Sequence, residues 1–260
     1  MITSRDGIAI NYAVEGQGRH VTLLHGVGSH LQAWDGIVTA LRDEFTFLRY
    51  DLRGHAQSGK PPGPYTLDDY VADLAALLDT QPVAQTTLVG FSFGGMIAPA
   101  FTVRHPERVR ALGIVSAVAG RTPEQRAAVV KRAEELARGG ATMTVGAAIE
   151  RWFTPEFRAR HPDIIDRQIE RVMGNDPVGY AAAYRVFAES DVIDELHEIR
   201  CPTLVMTGEQ DTGSTAAMAT AIHERIADSR LVILPRYRHS LLIEATAEVV
   251  SELRAFLKGT

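Results

Sequence analysis

Ser92 is the residue in this chain whose sequence context most strongly indicates a catalytic role. It lies in the segment Gly-Phe-Ser-Phe-Gly-Gly that spans residues 90–95, between an apolar run and a stretch that can start a helix. Glycines two residues before and two residues after the serine form the pattern G-x-S-x-G, typical of a tight turn that lifts a serine hydroxyl clear of a sheet. The pattern predicts a nucleophilic serine, and an ordinary strand–turn–helix corner is the alternative.

A serine hydroxyl is a weak nucleophile until a neighbouring base, most often histidine, takes its proton. His239 follows the last apolar strand and fits the chain order serine, acid, histidine. Asp211 follows the strand before it and is the predicted acid that orients His239. Glu209 and Asp191 are rivals, but Glu209 falls too near the strand end and Asp191 closes a helical segment. Ser92, Asp211 and His239 together predict a catalytic triad.

A serine nucleophile of this kind also needs two backbone donors for the oxyanion that forms during the reaction. The N–H of Phe93, directly after the nucleophile, is the first. The second is predicted from Val27, because the loop His25–Gly28 directly follows an early apolar strand and its two glycines let the backbone turn its amides inward. His25 is expected to order this loop rather than act as a base.

These groups can meet only if the strands that precede them lie side by side. Short apolar runs predict strands at residues 8–14, 21–24, 45–50, 86–89, 109–115, 202–207 and 231–234. Helical periodicity predicts helices at residues 65–80, with Thr66 as the N-cap, and at 214–226 and 240–256. Continuously apolar strands that alternate with helices are typical of a mostly parallel central sheet flanked by helices, so we predict an α/β fold. In such sheets the active residues follow the carboxyl ends of the strands.

The alternation stops in the middle of the chain. From Thr122 to about Ser190 the sequence is helical, with Pro123 at a first-turn position and breaks at 139–140, 154–155, 161–162 and 176–177. We therefore predict a helical cap over residues 121–190, inserted between two parts of an α/β core at 1–120 and 191–260.

Composition narrows the classes of partner. The chain has 260 residues and a net charge of −5, which argues against nucleic acid or an anionic membrane as the main partner. No apolar stretch is long enough to span a bilayer, and the start has no apolar core like that of a signal peptide. The one cysteine, Cys201, excludes an internal disulfide, so a cytoplasmic location is expected. No metal or organic cofactor is expected, and a homo-oligomer is left open.

Several segments together resemble the α/β-hydrolase family over nearly the whole chain. They are Leu23–Gly26, Tyr50–His55 with Ser58, Gly90–Gly95, Arg104–Val109, Gly208–Asp211 and Arg238–His239. A second set is similar to the 3-oxoadipate enol-lactonase branch: His30–Asp35, Gly63–Thr66, Arg151–Pro155, Asp176–Tyr180 and Gly213–Thr215. The resemblance implies the α/β-hydrolase fold, a helical cap over the pocket and a small lactone or ester as substrate.

Two departures and one requirement follow from this resemblance. Ala56 stands where the family usually has a second glycine in its R-G-H-G turn. Phe93 stands where the branch usually has methionine, and its ring is expected to narrow the pocket. The enol-lactone carries a carboxylate, so the pocket should offer a cation, for which Arg53, Arg151 and Arg185 are candidates, although exposed arginines are usually only solvated. Trp152 is expected to line the cap side of the pocket, with core packing as the alternative.

The same triad is compatible with other functions. Hydrolysis of a carbon–carbon bond, amide hydrolysis and perhydrolysis use related sites, and a ligand receptor could keep the triad without turnover. A dehalogenase or epoxide hydrolase would need an aspartate nucleophile, which Ser92 excludes. The sequence favours a serine hydrolase of carboxylic esters or lactones.

Overall fold

The computed structural model describes residues 1–4 and 6–260. Two short strands near the start, β1 (Ile2–Thr3) and β2 (Ala9–Ile10), pair as an antiparallel ribbon. The apolar runs form one seven-stranded sheet, whose strands are β3 (Tyr12–Gly16), β4 (Arg19–Leu24), β5 (Phe45–Tyr50), β6 (Thr86–Phe91), β7 (Val109–Val115), β8 (Thr203–Gly208) and β9 (Ser229–Leu234).

The order of the strands in this sheet is β3-β5-β4-β6-β7-β8-β9. Only β3 runs antiparallel to its neighbour, and every other pair is parallel. The register places Leu24 beside Gly90 and Gly208 beside Leu234, at the carboxyl ends of the strands. The loops that follow β4, β6, β8 and β9 therefore emerge at the same edge of the sheet. The predicted α/β fold with a mostly parallel sheet is confirmed.

Helices cover both faces of the sheet. Those that alternate with its strands are α1 (Asp35–Leu41), α2 (Leu67–Asp79), α3 (Gly94–Arg104), α9 (Ala216–Arg225), α10 (Leu241–Glu244) and α11 (Thr246–Gly259). One buried cluster joins the sheet to α2, α3 and α9 and includes Tyr70 and Phe101. A second cluster joins it to α1, α10 and α11 and includes Trp34 and Phe47. Apolar burial on both faces is what the continuously apolar strands require.

Five helices lie between β7 and β8. They are α4 (Pro123–Gly139), α5 (Val145–Trp152), α6 (Pro155–Arg160), α7 (Pro162–Met173) and α8 (Pro177–Glu189). Side chains of Thr122, Thr154 and Asp176 accept backbone hydrogen bonds at the starts of α4, α6 and α8, each directly before a proline. The helical content and all four breaks in this segment are confirmed, whereas its status as a separate cap stays a prediction.

Other elements follow the sequence closely, with two exceptions. Thr66 and Asp69 form the capping box of α2, which confirms that N-cap. The predicted strand 8–14 is wrong in extent, since it is divided between β2 and β3 at Asn11. The single helix predicted at 240–256 is also wrong, because the chain leaves the helical conformation at Ala245. The Glu244 carboxylate there accepts a hydrogen bond from the Thr154 N–H at 3.1 Å, which directs α10 towards the start of α6.

In the described part of the chain, every helix is too short or too polar to cross a bilayer.

Candidate active site

Ser92 occupies a strained turn between β6 and α3. Its φ of 55° lies in the left-handed region that side chains rarely adopt, and strain of this kind is typical of functional sites. A Cβ atom on Gly90 would lie 2.1 Å from the carbonyl oxygen of Gly94, and one on Gly94 would lie 2.4 Å from that of Leu24. The two glycines therefore let backbone segments touch, as the motif predicts.

His239 and Asp211 are joined by a short hydrogen bond. The imidazole Nδ1 lies 2.7 Å from Asp211 Oδ2. The other carboxylate oxygen accepts hydrogen bonds from the backbone N–H groups of Gly213 (2.8 Å) and Ser214 (2.9 Å). The carboxylate is buried and held by backbone donors, so it can fix the tautomer and orientation of the histidine ring.

Ser92 and His239 line one cavity of about 220 Å³, called the central cavity below. Among the described residues, no hydrogen bond joins the Ser92 hydroxyl to the imidazole, and the Phe91 ring packs 5.1 Å from the imidazole centroid. Hydrogen bonds between catalytic groups are often long without substrate and shorten when it binds. The fold thus brings a hydroxyl, an imidazole and a carboxylate from three separate loops to one cavity.

The loop of Val27 and the backbone N–H of Phe93 both adjoin Ser92. The loop after β4 passes so close to the nucleophile that a Cβ on Gly26 would lie 3.1 Å from the Cβ of Ser92. Within the described residues, neither the N–H of Val27 nor that of Phe93 donates a hydrogen bond to another protein group. Unpaired amides beside a serine are what an oxyanion requires.

Two buried histidines hold the loop of Val27. His25 Nε2 accepts a hydrogen bond from the Leu52 N–H at 3.0 Å, while its Nδ1 lies 2.7 Å from the Gly26 carbonyl oxygen. The His55 ring packs edge-on against the His25 ring with centroids 5.2 Å apart. Burial lowers the pKa of both rings, that of His55 to about 4, so both are neutral at physiological pH. His25 orders the loop, as expected.

The ring of Phe93 does not line the central cavity. It is fully buried, 4.9 Å from the Tyr70 centroid and 6.0 Å from that of Phe187, and Phe187 is the ring that faces the cavity. The expected narrowing of the pocket by Phe93 is therefore wrong, because a second aromatic layer separates its ring from the open space.

The predicted substrate-binding residues separate into two groups. Arg151 and Trp152, at the end of α5, line the central cavity. Arg53 lies outside it, because the Asp73 carboxylate binds its Nε and Nη2 atoms at 2.6 and 2.7 Å. Arg185 is exposed and pairs with Glu189 at 2.8 Å.

Three further arginines line the central cavity and escaped sequence reasoning: Arg121, Arg132 and Arg171. Arg121 lies in the connection that follows the carboxyl end of β7, and that position is the one signal that could have identified it. The other two lie on α4 and α7, where only the packing of the helices decides which side faces inward.

Helix α5 is tied to the loop that carries the histidine. The Ser240 N–H donates to the carbonyl oxygen of Trp152 at 3.0 Å, and the Arg238 guanidinium donates to that of Phe153 at 3.3 Å. The loop of His239 and one wall of the cavity are therefore joined through backbone hydrogen bonds.

No group of three or more His, Cys, Asp or Glu side chains suited to a metal ion occurs among residues 1–4 and 6–260.

Comparisons with known proteins agree over most of the chain. A family profile described as alpha/beta hydrolase fold matches residues 19–246. Over 235 residues the chain is 33% identical to 3-oxoadipate enol-lactonase 2 of Acinetobacter baylyi, covering 90% of this chain and 87% of that protein. The crystal structure of the enol-lactonase from Burkholderia xenovorans LB400 has a TM-score of 0.89 and 28% identity, covering 96% of each chain. A malate-bound thermophilic esterase from Thermogutta terrifontis has a TM-score of 0.91 and 29% identity, covering 99% of this chain and 96% of that one.

Proposed function

This chain belongs to the α/β-hydrolase family, and we propose that it hydrolyses a small carboxylic ester or lactone through an acyl-enzyme on Ser92. The observation that carries the proposal is the convergence of Ser92, His239 and the Asp211 carboxylate beside two unpaired backbone amides. Enol-lactonase and esterase relatives support the same bond type.

Acylation begins when His239 Nε2 takes the proton of the Ser92 hydroxyl and the serine oxygen attacks the substrate carbonyl carbon. The Asp211 carboxylate accepts the Nδ1–H of His239, which keeps Nε2 free to act as the base and stabilises the imidazolium. The amides of Val27 and Phe93 bind the developing oxyanion. Donors fixed in this way are typically worth about 3 kcal/mol each in the transition state.

The second half of the reaction releases the acyl group. As the tetrahedral intermediate collapses, His239 gives its proton to the leaving alkoxide or enolate oxygen. It then takes a proton from a water molecule that attacks the acyl carbonyl carbon. When this second tetrahedral intermediate collapses, His239 returns the proton to the Ser92 oxygen and the acid product leaves. No step requires a metal or an organic cofactor.

The substrate class follows from the size and charge of the cavity. A volume of about 220 Å³ lies below the range of roughly 300–1,000 Å³ common for ligand pockets, which favours a small molecule. Arg151 and Trp152 border it, so a 3-oxoadipate enol-lactonase-like substrate with a carboxylate and a compact ring would find a cation and an apolar wall. Arg53 has no part in this proposal, because Asp73 occupies its guanidinium. We further propose that residues 121–190 act as the cap that closes this space.

The experiment compares hydrolysis of p-nitrophenyl acetate and small lactones by the wild type, Ser92→Ala and Ser116→Ala. Ser116 is the matched control, since it follows the neighbouring strand β7 and its buried hydroxyl has no hydrogen-bond partner in the described chain. We expect Ser92→Ala to lose activity by several orders of magnitude and Ser116→Ala to keep it. Undiminished turnover by Ser92→Ala would overturn the mechanism, and absence of wild-type turnover on every ester and lactone would favour a receptor.

A further inference from the structure

The central cavity carries an excess of positive charge that one substrate carboxylate does not account for. Its lining includes four guanidinium groups, whereas Asp211, held by His239, is its one carboxylate among the described residues. None of these arginines has a carboxylate oxygen within 4.0 Å in that part of the chain. All four residues are half-buried. Partial removal from water of a charge that has no opposite charge beside it is costly, so such a lining is typical of a site that receives anions. The four are Arg121, Arg132, Arg151 and Arg171.

Three of the four form one group around Tyr184. Arg132 Nη1 donates to the Tyr184 hydroxyl at 3.3 Å. Arg121 Nη1 donates to the Phe187 carbonyl oxygen at 2.9 Å, while its Nη2 is buried without a partner among the described residues. Arg151 lies on α5, whose end is bonded to the loop of His239. We call these three arginines the α4–α5 cluster, and through Arg151 it adjoins the loop of His239.

Arg171 lies beside the oxyanion loop rather than the loop of His239. It lines the central cavity and also an outer depression that includes Ser29 and His30. One turn further along α7, Asn175 Nδ2 donates to the carbonyl oxygen of Gly28 at 3.0 Å, which places this end of the helix against the oxyanion loop. The guanidinium has a neutral partner, Gln168 Oε1 at 3.1 Å. It remains available to an anion.

Burial lowers the pKa of Arg121, Arg151 and Arg171, that of Arg121 to about 10. Guanidinium groups in proteins are protonated at neutral pH. The planar fork of a guanidinium suits a carboxylate better than any other side chain does.

We propose that the substrate carries two anionic groups, one on each side of the scissile ester bond. The leaving oxygen must face His239, so the anionic group on the alcohol or enol part meets the α4–α5 cluster. The acyl part then extends towards the oxyanion loop, where its own carboxylate meets Arg171. This inference rests on the proposed function, since it uses the direction in which the bond is cleaved.

The test measures binding rather than turnover. Glutarate, adipate and pimelate are titrated calorimetrically into Ser92→Ala, each against its monomethyl ester, which keeps the chain length and removes one charge. We expect at least one dicarboxylate to bind about tenfold or more tightly than its monomethyl ester, the size of effect that a charge-assisted hydrogen bond supplies. Arg171→Gln and Arg151→Gln should each reduce this preference to about threefold or less.

Two control variants distinguish loss of the anion site from misfolding and from nonspecific effects of charge. Arg171→Lys should keep a substantial part of the preference, because it keeps the cation. Arg185→Gln, outside the cavity, should keep all of it. If no dicarboxylate binds more tightly than its monomethyl ester, or if Arg171→Gln keeps the full preference, the two-anion site is wrong. A preserved preference in a protein that hydrolyses neither esters nor lactones would contradict the proposed function and leave the anion site standing.

Discussion

His55 Nε2 accepts a hydrogen bond from the backbone N–H of Gly28 at 2.9 Å, and this contact ties the turn after β5 to the loop that presents Val27. On the other side of the ring, Nδ1 lies 2.9 Å from the carbonyl oxygen of Arg53. The Nδ1 atom must donate and Nε2 must accept, so the neutral tautomer is required. A second proton would turn the Gly28 contact into two opposed donors.

The first prediction concerns acid stability. Burial lowers the pKa of His55 to about 4 from an ordinary value of 6.5. Between these two pH values the His55 side chain is therefore protonated in the unfolded chain but neutral in the folded protein. The free energy of unfolding should therefore fall as the pH drops through this window, by on the order of 3 kcal/mol from this residue. Urea denaturation at several pH values between 7 and 4 measures the slope.

His55→Asn should flatten that slope, since an amide oxygen can accept from Gly28 without titrating. The exposed His197, replaced by glutamine, is the control that should keep the wild-type slope. An identical slope in His55→Asn and the wild type would show that His55 does not set the acid sensitivity.

The second prediction concerns the acid of the triad. Asp211→Asn should lower kcat by roughly 10⁴-fold with little change in KM, because an amide no longer holds the required tautomer of His239. Glu209 was the rival acid and is the control: its carboxylate is exposed and accepts from the Arg236 N–H at 3.0 Å. Glu209→Gln should stay within about twofold of the wild type. Steady-state kinetics that reversed this ranking would assign the acid to Glu209.

The third prediction concerns the oxyanion loop. Gly28 has a φ of 73°, and a Cβ there would lie 2.8 Å from a ring carbon of Tyr180. Gly28→Ala should therefore lower kcat and destabilise the fold by more than about 1 kcal/mol. Gly146→Ala, in α5 with no atom within 4 Å of the added Cβ, should instead be neutral or stabilising by up to about 1 kcal/mol. Equal effects at both positions, in kinetics and thermal unfolding, would contradict this account.

The fourth prediction concerns the departure at Ala56. Its φ of 42° lies in the left-handed region, at a cost of about 1–2 kcal/mol for a residue with a side chain. Glycine avoids that cost but loses about 0.5–1 kcal/mol more conformational entropy on folding. Ala56→Gly should therefore stabilise the protein by up to about 1 kcal/mol in urea denaturation. Ala137→Gly, on the exposed face of α4, should destabilise it by about 1 kcal/mol, and loss of stability in both variants would be evidence against strain at Ala56.

Local patterns were sufficient to predict most of the fold. Continuously apolar runs predict strands that are buried on both faces of a sheet. The glycines on either side of Ser92 predict a sharp turn, because only such a turn brings the backbone of the strand and that of the following helix so close together. Parallel pairing then brings the loops of Val27, Asp211 and His239 to one edge without further information. The break at Ala245 escaped prediction because the sequence on both sides of it has one continuous helical period.

Side-chain direction inside the cavity could not be read from the sequence. Arg53 follows a strand at the correct edge, but Asp73 on α2 binds it, and that contact depends on how a helix packs. Arg171 and Arg185 have similar helical surroundings in the sequence. One lines the cavity and the other pairs with Glu189 in solvent, since each helix face is chosen by tertiary packing.

The bond between Ser240 and Trp152 has a consequence for how new specificities can arise. Substitutions at residues 151 and 152 reshape one wall of the central cavity, but they act on the same backbone that holds the loop of His239, the proposed base. We therefore expect substitutions at these two residues that change the preferred substrate to lower the turnover rate as well. Helix α7 has no such connection to His239 among the described residues, and its own bond to the catalytic loops, from Asn175 to Gly28, lies two turns beyond Gln168. Gln168, which lines the cavity, is therefore the better position from which to diversify the enzyme.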